Sequence, residues 1–216
     1  MEPLILYFVL FFPSLYAVPF QGTDSGIITF SLLHELGRTL TYTIPALALV
    51  WYMMSDRNGL SALREEKPTV QDALLFGIGF PSLVILGLGI SFLVPLFHGY
   101  QDLTPPPKVQ APATIIGWIV LFFSCIGTGY LEESYFRFYL LKRLEYTLPR
   151  PVFRVILSTI LFSVCHIYEG PWGIVNAVLA GILLSLLFIR FRSLHGIAWA
   201  HGAYNIFVYA MGNFIS

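Results

Sequence analysis

Glu132 and Glu133 close a long apolar run in the stretch GYLEESYFRFYLLKR, and Arg137 follows one helical turn later. From Ala113 to Leu131 the chain is almost wholly apolar, so one continuous helix would carry both acids into hydrocarbon. An ionised group at such depth is costly unless paired, which makes an intramembrane acid a functional-site candidate by default. Glu133 and Arg137 are four apart and can pair on one helix face. Glu132 is then left without a local partner. Three further polar residues stand inside apolar runs of the C-terminal half: His166, His201 and Asn205. Asn176 lies nearer the outer end of its run and is set aside. An acid, two imidazoles and an amide point to acid–base chemistry rather than to a side-chain nucleophile. Cys165 adjoins His166, but neighbouring helical residues point about 100° apart.

The elements that must position these groups are membrane spans. The chain has 216 residues, 56% hydrophobic and only 11% charged, against roughly 25% charged in soluble proteins. This composition predicts an all-α, polytopic transmembrane helical bundle. Seven stretches approach the roughly 20 residues a span needs: Leu4–Phe20, Ile27–Met54, Ala73–Phe97, Ala113–Phe138, Val152–His166, Trp172–Ile189 and Leu194–Ile215. The second is long and carries His34, Glu35 and Arg38, so it should be tilted, kinked or partly interfacial. The fifth is short. The stretch 55–72 reads as a polar loop, and Pro105, Pro106 and Pro107 make the third loop stiff and non-helical. Balanced formal charge gives no reason to expect a nucleic-acid partner. Cys125 and Cys165 both lie in apolar runs and read as small buried hydrophobes.

Basic residues fall in alternate loops: Arg57, Arg64 and Lys67 in the second, Lys142, Arg143 and Arg150 in the fourth, Arg190 and Arg192 in the sixth. The positive-inside rule then places the N-terminus in the cytoplasm and the C-terminus outside. With 1.5 Å per residue, Glu132 stands roughly 15 Å, His166 roughly 18 Å and His201 roughly 14 Å from the basic interface. Asn205 is one turn beyond His201 on the same face. Three helices therefore bring four polar groups to one level near the middle of the hydrocarbon core. The tight connection 147–150 makes the fourth and fifth spans antiparallel neighbours, so Glu132 and His166 can face each other. Gly173, Ala177, Gly181 and Ser185 form a small-residue stripe on the sixth span, which reads as a packing surface.

EESYFR at 132–137, FSVCH at 162–166 and HGAYN at 201–205 resemble, in order, the EExxxR, FxxxH and HxxxN motifs of the CPBP family of intramembrane proteases. That family includes the CAAX prenyl endopeptidases and the Abi, or bacteriocin self-immunity, proteins. The resemblance runs from about Gly117 to the C-terminus. Phe138 departs from it, where many members have glycine after the arginine. By motif position it implies that Glu132 activates the attacking water with His166 assisting. It implies that His201 and Asn205 stabilise the oxyanion, and that Glu133 and Arg137 are supporting residues. The chain then divides into a three-span region, 1–112, and a catalytic four-span region, 113–216, within one integral membrane domain. The implied activity is hydrolysis of peptide bonds in membrane-associated or prenylated-type substrates, by a multi-pass protein of the plasma membrane if the source is prokaryotic.

Three rivals belong to other classes, the weakest being a small transporter with the polar cluster as an ion site, for which no broken-helix pair or inverted repeat is visible. Glu132, His166 and His201 are a possible zinc ligand set with an open fourth position, although HExxH is lacking. A non-enzymatic membrane scaffold or immunity protein is another, against which stands the buried acid it would not need. The motif reading itself requires no cofactor. The partners are the bilayer and a peptide or protein substrate, with lipid modification and oligomeric state left open. His34, Glu35 and Arg38 belong to none of the motifs, and pairing of Glu35 with Arg38 on one turn is the simplest account of them.

Overall fold

The apolar runs fold as helices, and hydrogen bonds between their ends fix which ends lie together. The computed structural model describes residues 2–16, 27–54, 67–97 and 108–212. In chain order these are α1 (Glu2–Tyr16), β1 (Ile27–Ile28), α2 (Leu32–Arg38), α3 (Ile44–Met54), α4 (Val70–Leu93), β2 (Lys108–Val109), α5 (Ile115–Glu133), α6 (Leu141–Leu144), α7 (Pro151–Val164), α8 (Gly170–Phe191) and α9 (Leu194–Gly212). A π-helical turn, Thr39–Thr43, joins α2 to α3, and a longer one, Ser134–Leu140, joins α5 to α6. The architecture is a helical bundle. Its sole sheet among the described residues is the two-residue parallel pair β1–β2.

Several boundaries differ from the sequence reading. Ile27 and Ile28 extend into β1 instead of opening a helix, and α2 starts only after the Ser31 side chain accepts the His34 backbone N–H. The second rod is interrupted by the π turn, as its length and polar residues suggested. The fourth continues well past Phe138: Ile115–Leu144 is one apolar rod of 30 residues. Asp72 is not in a loop. Its carboxylate accepts the backbone N–H of Thr69 at 2.6 Å and caps α4, an arrangement that satisfies otherwise orphaned donors. Pro105–Pro107 and most of the second loop, including Arg57 and Arg64, lie outside the described residues.

Three rods are long and apolar enough to cross a membrane: Val70–Leu93, Ile115–Leu144 and Ile167–Phe191. The chain is an integral membrane protein. Its outward faces carry Phe92, Ile115, Ile85 and Leu33, all more than half exposed, which suits contact with lipid rather than water. By contrast α7 has 14 residues, about 21 Å of helix, short of a hydrocarbon core about 30 Å thick. The chain turns back at Cys165–Glu169, helped by Gly170 at φ 78°, and α7 packs beside α8 as a helical hairpin.

Charged and polar contacts gather the connections at two ends. Glu145 Oε1 lies 2.5 Å from Arg154 and 3.8 Å from Arg192. Arg143 reaches Glu2 at 3.4 Å and the Met53 carbonyl at 3.2 Å. Gln71 donates to the Phe191 carbonyl, and Ser193 donates to Asp72. The start of α1, the end of α3, the start of α4 and the α6–α7 and α8–α9 connections therefore share one end. At the other end β1 pairs with β2, and Gly212 abuts Val109.

Candidate active site

The site begins with how closely α5 and α9 approach. A Cβ on Gly129 would fall 2.6 Å from the Ala198 carbonyl oxygen and 2.9 Å from the Gly202 nitrogen. The same atom on Gly202 would meet the Ile126 Cα at 2.9 Å. Only paired glycines let these backbones touch. Glu133 is one turn beyond Gly129, and His201 adjoins Gly202, so the contact delivers an acid and an imidazole to one point. His201 donates its Nδ1–H to Glu133 Oε1 at 2.8 Å, while its Nε2 lies 3.6 Å from Glu132 Oε2. One histidine thus stands between the two adjacent acids.

Glu133 and Arg137 pair as the spacing predicts, with Nη1 3.2 Å from Oε1 and both side chains fully buried. The guanidinium is boxed in by protein. It stands over the Phe162 ring at 4.3 Å, and its Nη2 reaches the Gly181 carbonyl at 3.4 Å. The small-residue stripe of α8 is buried, and Gly181 packs against Thr159 and Phe162 of α7. The π-helical turn that begins at Ser134 widens the helix in the middle of the motif, a distortion that recurs at functional sites. Trp51 Nε1 donates to Ser134 at 3.0 Å, and Ser158 donates to the Phe136 carbonyl at 2.9 Å. Helices on two sides therefore hold the turn in place.

The remaining motif residues are less direct. His166 is the residue after Cys165, where α7 ends, and its Nδ1 lies 2.8 Å from the Phe162 carbonyl. A carbonyl only accepts, so Nδ1 carries a proton and this bond leaves Nε2 uncommitted. The described contacts link His166 to the acids through Phe162, whose ring centroid is 4.5 Å from His166 and 5.9 Å from His201. Asn205 is half-buried one turn beyond His201. Glu132 Oε2 is buried and has no hydrogen-bond partner in the protein. Cys125 and Cys165 are free and buried, and Cys165 Sγ contacts the Tyr7 hydroxyl at 3.3 Å.

The loose triad on α2 belongs beside this site. Arg38 and Glu35 do pair, at 2.8 Å. Arg38 also donates to Ser124 at 2.7 Å and to Thr128 at 3.1 Å, and Ser124 donates to Glu35 at 2.6 Å. Ser124, Thr128 and Glu132 recur every four residues, one stripe of α5. Local spacing could find the Glu35–Arg38 pair; nothing local could say that it docks on α5. Phe162 is the other residue whose role was missed, and the signal was present, since it is the first letter of the FxxxH motif.

Residues 112–207 match the Rce1-like family, type II CAAX prenyl endopeptidase. The match bears out the resemblance to CPBP-type CAAX proteases carried by the three motifs. It covers a little under half of the chain, and no curated protein and no solved structure matches. The Rce1-like region contains Glu132, Glu133, Arg137, His166, His201 and Asn205. Arg38, Glu35 and Trp51 lie outside it. Among the described residues, no three His, Cys, Asp or Glu side chains converge as a metal-holding group. Glu132, His166 and His201 are not brought together as such a group among the described residues.

Proposed function

We infer that this chain is an intramembrane endopeptidase of the CAAX type that hydrolyses a peptide bond with water activated by Glu132. One observation carries the reading: the buried, unpartnered Oε2 of Glu132 sits beside His201 Nε2, inside the region that matches the Rce1-like family. A buried carboxylate oxygen without a donor calls for a water. Glu132 takes a proton from that water, the water oxygen attacks the scissile carbonyl, and Glu132 returns the proton to the leaving amine. Glu133 and Arg137 cancel each other's charge. With Glu132 ionised and His201 protonated, the four groups sum to zero, which suits a low-dielectric interior. In that state His201 Nε2–H points to where the oxyanion forms, with Asn205 one turn away as a second donor. His166, with Nε2 free, is suited to orient the water. Glu133 holds His201 as well as Arg137, so its supporting role includes positioning the imidazole.

The shared end that collects Glu2, Arg143, Arg154 and Arg192 supports a cytoplasmic N-terminus and a multi-pass arrangement. Substrates are then peptides or proteins at the membrane, with a prenylated cysteine as the first candidate feature. The test is cleavage of peptide libraries, with and without a prenylated cysteine, by purified wild type and a Glu132→Ala control. Turnover by wild type alone is expected. Equal turnover by the control would overturn the assignment.

A further inference from the structure

Resting on the endopeptidase reading, we propose that Arg38 is a specificity residue that binds a free carboxylate of the substrate, two or three residues beyond the scissile bond. The guanidinium is fixed from behind by Ser124 and Thr128, on the same stripe of α5 that ends in Glu132, and by Glu35 of its own helix. Those three bonds use three of its five N–H donors, and its side chain remains about a third exposed, at 32%. Every other arginine that meets the catalytic acids is sealed: Arg137 is fully buried. Among the described residues beside the site, Arg38 is therefore a cation with exposed donors left to offer.

Distance selects what it would bind. Thr128 and Glu132 are one turn apart, roughly 6 Å, and Arg38 Nη1 lies 3.1 Å from Thr128 Oγ1. An extended peptide advances about 3.3–3.6 Å per residue. A chain end two or three residues past the attacked carbonyl thus arrives at the guanidinium. The simpler account, that Arg38 only docks α2 on α5, explains the three bonds but not the exposed remainder.

The experiment uses the full-length protein in detergent with quenched peptides carrying a farnesylated cysteine three residues from the end, made as free acid and as carboxamide. Wild type is expected to favour the acid in kcat/KM by about tenfold to a hundredfold, the range of one charge-assisted hydrogen bond, chiefly through KM. The pair Glu35→Gln/Arg38→Gln removes the two opposite charges together, and its acid-to-amide ratio should fall to near one. Glu35→Gln alone should keep the preference, because it removes a competing carboxylate. Equal cleavage of both peptides by wild type would overturn the proposal, as would a double variant whose ratio is unchanged. If wild type cleaves neither peptide, the endopeptidase reading fails separately. Binding of the same two peptides to Glu132→Gln, with and without the double change, then decides about Arg38: a preference for the acid that the double change abolishes supports it, and equal binding sinks it.

Discussion

At the scale of single residues, the site is one imidazole held between two acids that differ only in what else they touch. Glu133 spends its Oε1 on both His201 and Arg137 and keeps a buried, unpartnered Oε2; the unpartnered Oε2 of Glu132 has no arginine beside it and lies 3.6 Å from His201 Nε2. Glu132→Gln keeps the shape but removes the base, so single-turnover cleavage should vanish while thermal unfolding in detergent stays near wild type. Robust cleavage by that variant would end the mechanism. Arg137→Ala leaves Glu133 buried with half its compensation, and breaking a buried pair costs roughly 3–5 kcal/mol. Folded yield and melting temperature should both drop sharply. An isolated pair would tolerate exchange of its charges. Here Glu133→Arg/Arg137→Glu should not recover yield, because the exchange points a guanidinium at the Nδ1–H of His201; recovery would show that the imidazole contact is dispensable.

At the scale of elements, α5 and α9 meet at Gly129 and Gly202, and that contact sets the distance between His201 and the acids. Gly129→Ala would press a methyl group into the Ala198 carbonyl, where the room is 2.6 Å. Overpacking of this kind costs about 1–3 kcal/mol, and the helices relieve it by separating. Both stability and turnover should fall, the latter without any change to a chemical group. Gly89→Ala is the control, since nothing lies within 4 Å of its added carbon, and alanine there should be neutral or slightly stabilising. Equal effects from the two variants would mean that the close approach does not position the site.

At the scale of the whole molecule, alternate connections are gathered at opposite ends, and the basic residues mark one of them. Tyr146, 88% exposed in the α6–α7 turn, offers a labelling position at the basic end. Tyr146→Cys in intact cells should react with membrane-impermeant maleimide only after permeabilisation, whereas a cysteine appended to the C-terminus should react directly. The native cysteines are buried and should stay silent. The opposite pattern would invert the orientation and with it the side from which substrate enters.

How much of this was legible follows from the range of each interaction. Runs of apolar residues and spacings of four act along one helix, so the bundle class, the Glu133–Arg137 pair, the Glu35–Arg38 pair and the three motifs could be read from the chain alone. Ladder periodicity also carried the small-residue stripe of α8, whose members are buried as expected. The tertiary structure decided what crosses between helices. Gly129 and Gly202 are unremarkable in sequence and come into close contact only when α5 and α9 are laid together. His201 reaches both acids because of that approach, whereas His166 turns its ring back to Phe162, since α7 ends before it. Arg38 lies 86 positions from Ser124, and no local pattern encodes a bond over that separation; it exists because burial leaves a guanidinium few places to find acceptors.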